Sequence, residues 1–187
     1  MPGPSLEFGN QLIAIDLSAL DRHPPIVKTL RWQDEAATRA YAQALARQPQ
    51  LGHAVIALKG DLGAGKTTFV RHLLHALGVR GRIKSPTYAV VEPYELPKLA
   101  IWHFDFYRFS DPREWEDAGF RDIFASPGLK LVEWPDKAAG MLPSPDLTID
   151  MACSSEDARE VTLTVQSAVG AGLLQGMTAN QADQGGP

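Results

Sequence analysis

Gly60, Asp61, Leu62, Gly63, Ala64, Gly65, Lys66 and Thr67 satisfy the pattern G-x-x-x-x-G-K-[ST] without exception. The chemistry this serves is the binding of a nucleoside triphosphate with Mg2+. Glycines let a backbone wrap closely round a polyphosphate and turn its N–H groups inward. Lys66 supplies an ammonium for the β and γ phosphates, and Thr67 offers a hydroxyl to the metal. The expected nucleotide-binding stretch runs on to Thr68, in the first turn of the helix whose N-terminus adds partial positive charge.

Other residues must decide the reaction. Asp105 closes the run LAIWHFD and Glu133 closes LKLVE just before Trp134, so two acids stand where strands end. In open α/β sheets the ligand crevice lies beyond such ends. A carboxylate there could hold Mg2+, hold its waters or orient an attacking water; the plain alternative is a surface acid capping a turn. Together with Lys66, these acids are the candidate catalytic residues. Ser85, Pro86, Thr87 and Tyr88, preceded by Lys84, form a hydroxyl-rich loop suited to sensing a γ phosphate, as switch loops do. An ordinary Ser-Pro turn is the other reading. Arg108 either stabilises transferred-phosphate charge or pairs with Asp111. No second His or Cys lies at metal spacing from His103, which therefore reads as a packed strand residue. Trp102 and Trp115 read as packing residues.

These side chains need a scaffold, and the surrounding pattern predicts one. The apolar run 53–59 suits a buried central strand before the glycine-rich turn. Residues 66–77 have a helical pattern that Gly78 ends. Asp34 is placed to cap a helix through Ala46, after a short strand over 27–32. Residues 88–94 and 99–105 read as antiparallel neighbours joined at Leu96-Pro97-Lys98. Asp111 or Ser110, followed by Pro112, marks a helix start, and 129–134 is a strand stopped by Pro135. Residues 147–152 and 160–165 alternate as a terminal hairpin, in which Cys153 is expected as a small core residue. The sum is a three-layer α/β domain of the P-loop NTPase type, with a mixed sheet flanked by helices. It spans 28–167, between a Pro- and Gly-rich arm over 1–27 and a tail over 168–187 with at most a short helical piece at 172–177.

Charge narrows the partners. Lys plus Arg is 18 against 22 Asp plus Glu, a net −4, and no basic run is present. Unaided nucleic-acid binding usually needs a basic stripe, so contact with nucleic acid is expected through a partner. No apolar run reaches membrane-span length and no basic, then apolar leader opens the chain, which favours the cytoplasm.

Four blocks in order, GDLGAGKTTFVR at 60–71, KSPTYAVVEPYE at 84–95, HFDFYR at 103–108 and LVEWPDKA at 131–138, resemble the bacterial TsaE (YjeE) family. The resemblance covers about 28–166 and implies a small P-loop ATPase using ATP and Mg2+. Thr67 matches the family's Mg2+ ligand, Asp105 the acid of its H-x-D-x-Y block, and Glu133 the acid of its E-W block, which also serves Mg2+. Ser85 to Tyr88 match a switch-like loop. The helix around Glu35 lies where the family meets the nucleotide from the base side. Arg159 stands where the family has Gly-Arg, here Ala158-Arg159, and is the corresponding nucleotide contact. The family acts with TsaB and TsaD, which transfer a threonylcarbamoyl group to the adenosine beside the anticodon of tRNAs reading ANN codons, and its ATP hydrolysis resets that pair.

Two rival readings remain. A small-molecule kinase would share the loop and size but needs an arginine-bearing lid, and 109–129 offers only Arg113 and Arg121. A nucleotide-gated binding module would use the same site for docking, with incidental hydrolysis.

Overall fold

The computed structural model describes residues 25–182. Strand β1 (Ile26–Trp32) leads into helix α1 (Glu35–Ala46), capped as expected by Asp34, which accepts from the Ala37 amide at 2.7 Å. A 3-10 turn over Pro49–His53 delivers the chain to β2 (Val55–Lys59). After the glycine-rich loop, α2 (Lys66–Leu77) ends at Gly78, whose φ of 105° suits a residue without a side chain. Strands β3 (Val91–Leu96) and β4 (Leu99–Asp105) form the expected antiparallel hairpin. Helix α3 (Pro112–Asp117) starts from an Asp111 cap, and a further short helix, α4 (Phe120–Ala125), follows. Then come β5 (Leu129–Glu133), the hairpin of β6 (Leu147–Cys153) with β7 (Arg159–Val165), and α5 (Ala168–Ala182).

The seven strands of the described residues make one mixed sheet in the order β1-β7-β6-β2-β5-β4-β3. Strands β6, β2, β5 and β4 run parallel, and antiparallel pairs flank them. Every residue of β5 is buried, as a central parallel strand with both faces covered must be. Strand alternation feeds two separate cores. Ile56, Leu58, Ile101, Leu129 and Leu131 pack with Leu45, Phe69 and Leu73 of α1 and α2. Phe104 and Val132 pack with Trp115 and Phe120 of α3 and α4, where Trp115 takes the packing role expected of it. The result is the predicted three-layer α/β arrangement. In β4, His103 and Asp105 share a side with Ile101, so they face α2 and the loop before it.

Several expectations are corrected. Residues 1–24 of the expected arm lie outside the described range, and Ile26 and Val27 belong to β1. The stretch from 168 is a helix, not a tail, over its described part. Ser167 accepts from the Gly170 amide at its start, and Leu173 and Met177 enter the core. Its glycines, which suggested loose chain, allow close approach: a Cβ at Gly176 would lie 1.8 Å from Gln48 Oε1. Cys153 is exposed, because β6 runs past the rim of the core after Met151. The strand expected from Tyr88 begins at Val91, since Val90 turns at φ 65° and its amide bonds to the Pro86 carbonyl at 2.7 Å. No helix among the described residues is long and apolar enough to cross a membrane.

If α5 belongs to the folded domain, Leu173→Ala removes a fully buried side chain and lowers unfolding stability by about 2–5 kcal/mol. Chemical denaturation measures this, and an unchanged midpoint would return the segment to the status of a tail.

Candidate nucleotide-binding site

The loop joining β2 to α2 is shaped by its first glycine. Gly60 has φ 124°, and a Cβ there would lie 2.2 Å from the Met151 carbonyl oxygen, so no side chain fits. Lys66 is only 4 % exposed, unlike the solvated lysine of an ordinary turn. Its ammonium donates to the carbonyls of Gly60 at 2.6 Å and Asp61 at 2.8 Å. It also stands 4.0 Å from the centroid of the Trp134 ring. Burial lowers the lysine's pKa, and Glu133, Asp105, Asp61 and Asp150 act in the opposite sense.

The two strand-end acids meet beside this lysine. Asp105 and Glu133 are register partners on β4 and β5 and are 3 % and 2 % exposed. Neither is the surface acid of the plain reading. The Thr67 hydroxyl donates across both Glu133 oxygens, at 3.0 and 2.9 Å. Asp105 accepts from the hydroxyls of Ser85 and, at 2.7 Å, Thr87, and from the Tyr107 amide at 2.9 Å. Ser85 and Thr87 of the switch-like loop are thus tied to the acid, whereas Pro86 shapes the turn and Tyr88 is 84 % exposed.

A pocket of about 270 Å3 is lined by Gly65, Lys66, Thr67, Asp105, Glu133 and Trp134 among others. A second, of about 130 Å3, shares Gly63, Gly65 and Thr68 and reaches Trp32, Glu35 and Arg159. Glu35 pairs there with His72 at 2.9 Å. The Arg159 guanidinium donates to the Ala64 carbonyl at 2.8 Å, so the residue borders the loop. Leu62 lines the first pocket at its rim, 75 % exposed. Arg108 lines neither pocket; it stacks over Tyr88 at 4.5 Å, while Arg113, not Arg108, holds Asp111.

Sequence reasoning missed three contributors. His103 is fully buried and its Nε2 lies 2.8 Å from Glu133 Oε1. Its place two residues before Asp105, on the same side of the strand, was the available signal. Trp134 and Tyr107 pack ring to ring at 4.9 Å along the pocket wall, and the residue after a strand-end acid was the clue to the first.

Among the described residues no three His, Cys, Asp or Glu side chains gather as a metal site. The donors at hand are a hydroxyl and carboxylates, which suit a hard cation that takes its remaining ligands from phosphate and water. Thr67, Glu133 and Asp105 therefore fit Mg2+.

The family model for threonylcarbamoyl adenosine biosynthesis protein TsaE matches residues 32–161, a span that contains every site residue named above. The chain belongs to the TsaE family. The tRNA threonylcarbamoyladenosine biosynthesis protein TsaE of Haemophilus influenzae is 42 % identical over 120 residues, covering 64 % of this chain and 75 % of that one. The TsaE protein of Bacillus subtilis is 36 % identical over 140 residues, covering 74 % and 87 %. The crystal structure of Bacillus subtilis YdiB superposes with a TM-score of 0.68 at 27 % identity, over 85 % of this chain and 99 % of that one. TsaE membership carries the family's role in threonylcarbamoyladenosine biosynthesis, a modification of tRNA.

Lys66→Ala removes the one ammonium that lines this pocket among the described residues. Calorimetry with ATP is expected to show at least a tenfold weaker affinity, roughly the loss of one charge-assisted contact, with circular dichroism unchanged. Parental affinity would move the phosphate site elsewhere.

Proposed function

We propose that this chain is a Mg2+-dependent ATPase acting with the TsaB–TsaD pair in threonylcarbamoyl modification of the adenosine beside the anticodon of tRNAs reading ANN codons. Hydrolysis of ATP to ADP and phosphate resets that pair between turnovers, in the cytoplasm. The observation that carries the reading is the Thr67 hydroxyl bound across the buried Glu133 carboxylate, which brings a phosphate-loop oxygen and a strand-end acid to one point. With a net charge of −4, tRNA is met through the partners.

Each residue has a task. The loop amides and Lys66 take the phosphates, and the pocket shared by Glu35 and Arg159 takes the nucleoside side. Mg2+ held by Thr67 and Glu133 would supply neutralisation of charge at the β and γ phosphates. Asp105 orients the attacking water and couples it to the loop of Ser85 and Thr87, because that loop is hydrogen-bonded to its carboxylate. Tyr88 and the Arg108 stacked on it form the exposed end of the same loop, where a docking partner can order it and bring the guanidinium to bear.

The kinase alternative is disfavoured by one observation. The segment between β4 and β5 that would have to serve as an acceptor lid is fastened to the sheet by Phe106, Phe109, Trp115 and Phe120. Complex formation compared in ADP, ATP and a non-hydrolysable analogue separates the ATPase from a nucleotide-gated docking module.

Glu133→Ala is expected to cut turnover roughly 100-fold while changing nucleotide affinity far less, since the acid serves chiefly the transition state. Asp105→Ala behaves in the same sense. Equal losses in steady-state turnover and calorimetric binding would make either acid structural. Phosphate release by the isolated chain is expected to be slow, to climb with TsaB–TsaD concentration and to saturate. That stimulation is lost in Tyr88→Ala with the phosphate loop intact. A fast rate indifferent to the pair would point to a self-contained NTPase.

A further inference from the structure

We infer that His103 is a positioning residue for Glu133, holding the carboxylate in the one orientation in which it meets Thr67. The inference rests on the ATPase reading and deepens it. Four observations combine. His103 is 0 % exposed in the middle of β4, where an apolar side chain would pack at no polar cost. Its Nε2 lies 2.8 Å from Glu133 Oε1, and since a carboxylate oxygen only accepts, Nε2 is the donor. Its other nitrogen, Nδ1, is buried with no hydrogen-bond partner among the described residues, so the ring's hydrogen bond there is the one to Glu133. Besides His103, the Glu133 carboxylate accepts from one other side chain among the described residues, that of Thr67, which reaches both oxygens.

The geometry explains why a histidine serves. Asp105 and Glu133 sit side by side at the ends of β4 and β5, and the phosphate loop lies beyond them. A donor that fixes Glu133 without standing in the pocket must come from behind, one pleat back on the neighbouring strand. His103 occupies that place, and its ring is long enough to reach diagonally to the carboxylate. It is not among the residues that line the pocket, and its hydrogen bond goes to Glu133. With Oε1 pinned from the core side and Thr67 bridging from the loop side, the plane of the carboxylate is set by both elements. Partners of this kind behind a metal-binding or catalytic carboxylate typically change affinity or rate 10- to 100-fold when removed.

The test compares the full chain with His103→Leu, His103→Asn and His103→Gln. In Gln the terminal amide falls near the place of Nε2; in Asn it stops short of Glu133, and Leu has no donor. Two quantities are read: ATP turnover at saturating Mg2+ and ATP, and binding of a fluorescent ADP analogue in EDTA and across a Mg2+ titration. Leu and Asn are expected to lower turnover about 10- to 100-fold and to raise the Mg2+ needed for half-maximal binding about tenfold. Binding in EDTA stays within about twofold, and Gln recovers most of both losses. If His103→Leu does not fold, His103→Asn carries the same comparison. Parental turnover and parental Mg2+ dependence in a folded Asn or Leu variant would overturn the inference. So would an equal loss of binding in EDTA, or a failure of Gln to recover either quantity, which are the marks of packing alone. A parental chain that releases no phosphate from ATP would instead fail the ATPase reading, and the Mg2+ titration of ADP binding would still judge His103.

Discussion

Three charged side chains, Lys66, Asp105 and Glu133, are each less than 5 % exposed and share one pocket. Burial of a charge costs several kcal/mol unless hydrogen bonds and opposite charges replace the lost water. That constraint accounts for much of the architecture round the site. Asp105 draws Ser85, Thr87 and the Tyr107 amide onto itself; Glu133 draws Thr67 and His103; Lys66 draws two loop carbonyls and the face of Trp134. The partners come from the glycine-rich loop and the start of α2, from the segment before β3, from β4 and the turn after it, and from the turn after β5. Satisfying the charges therefore ties together elements that the two apolar cores hold apart.

Strain is concentrated where this happens. The only non-glycine residues with positive φ among those described are Val90 and Trp134, at 65° and 57°. A β-branched residue is poorly suited to that region of backbone space. Val90 nevertheless adopts it beside the switch-like loop, and its carbonyl accepts the Asp105 amide at 2.9 Å. Trp134 adopts it directly after Glu133, and the turn lays its ring against Lys66 and Tyr107. Val90 bends the chain between the Ser85–Thr87 segment and β3, and Trp134 bends it directly after Glu133. The surrounding hydrogen bonds over-determine the conformation enough to hold it.

The parts legible in the sequence were those with short-range signatures. Gly60 to Thr67 announce themselves by type and spacing, Asp34 and Asp111 by capping, and Asp105 and Glu133 by ending β-branched or aromatic runs. What was not legible depends on three-dimensional neighbours. His103 reads as core because a strand histidine looks the same whether its partner is an acid on the next strand or nothing at all. Gly170, Gly172 and Gly176 read as loose chain because only the folded structure shows the Asp146 carbonyl and the Gln50 and Gln48 side chains lying against them. Cys153 continues the alternation of Leu147, Ile149 and Met151 but falls beyond the core's edge, which no local pattern marks.

The electrostatics of the pocket bear on why such a site would work with a divalent cation. Lys66 is the one ammonium there among the described residues, and four carboxylates, Glu133, Asp105, Asp61 and Asp150, act on it. They help keep a buried lysine charged, against the desolvation that pulls the other way. The same acids would repel an incoming polyphosphate, which brings several negative charges of its own. Loop amides and the N-terminus of α2 offset part of that repulsion, but they contribute partial charges only. A small dication held by Thr67 and Glu133 would offset that repulsion, so that an acid opposing phosphate in the bare pocket would become a means of holding what neutralises it. Under the ATPase reading, metal and nucleotide would therefore favour each other's binding at this site, with the acids that repel phosphate in the bare pocket as the source of that coupling.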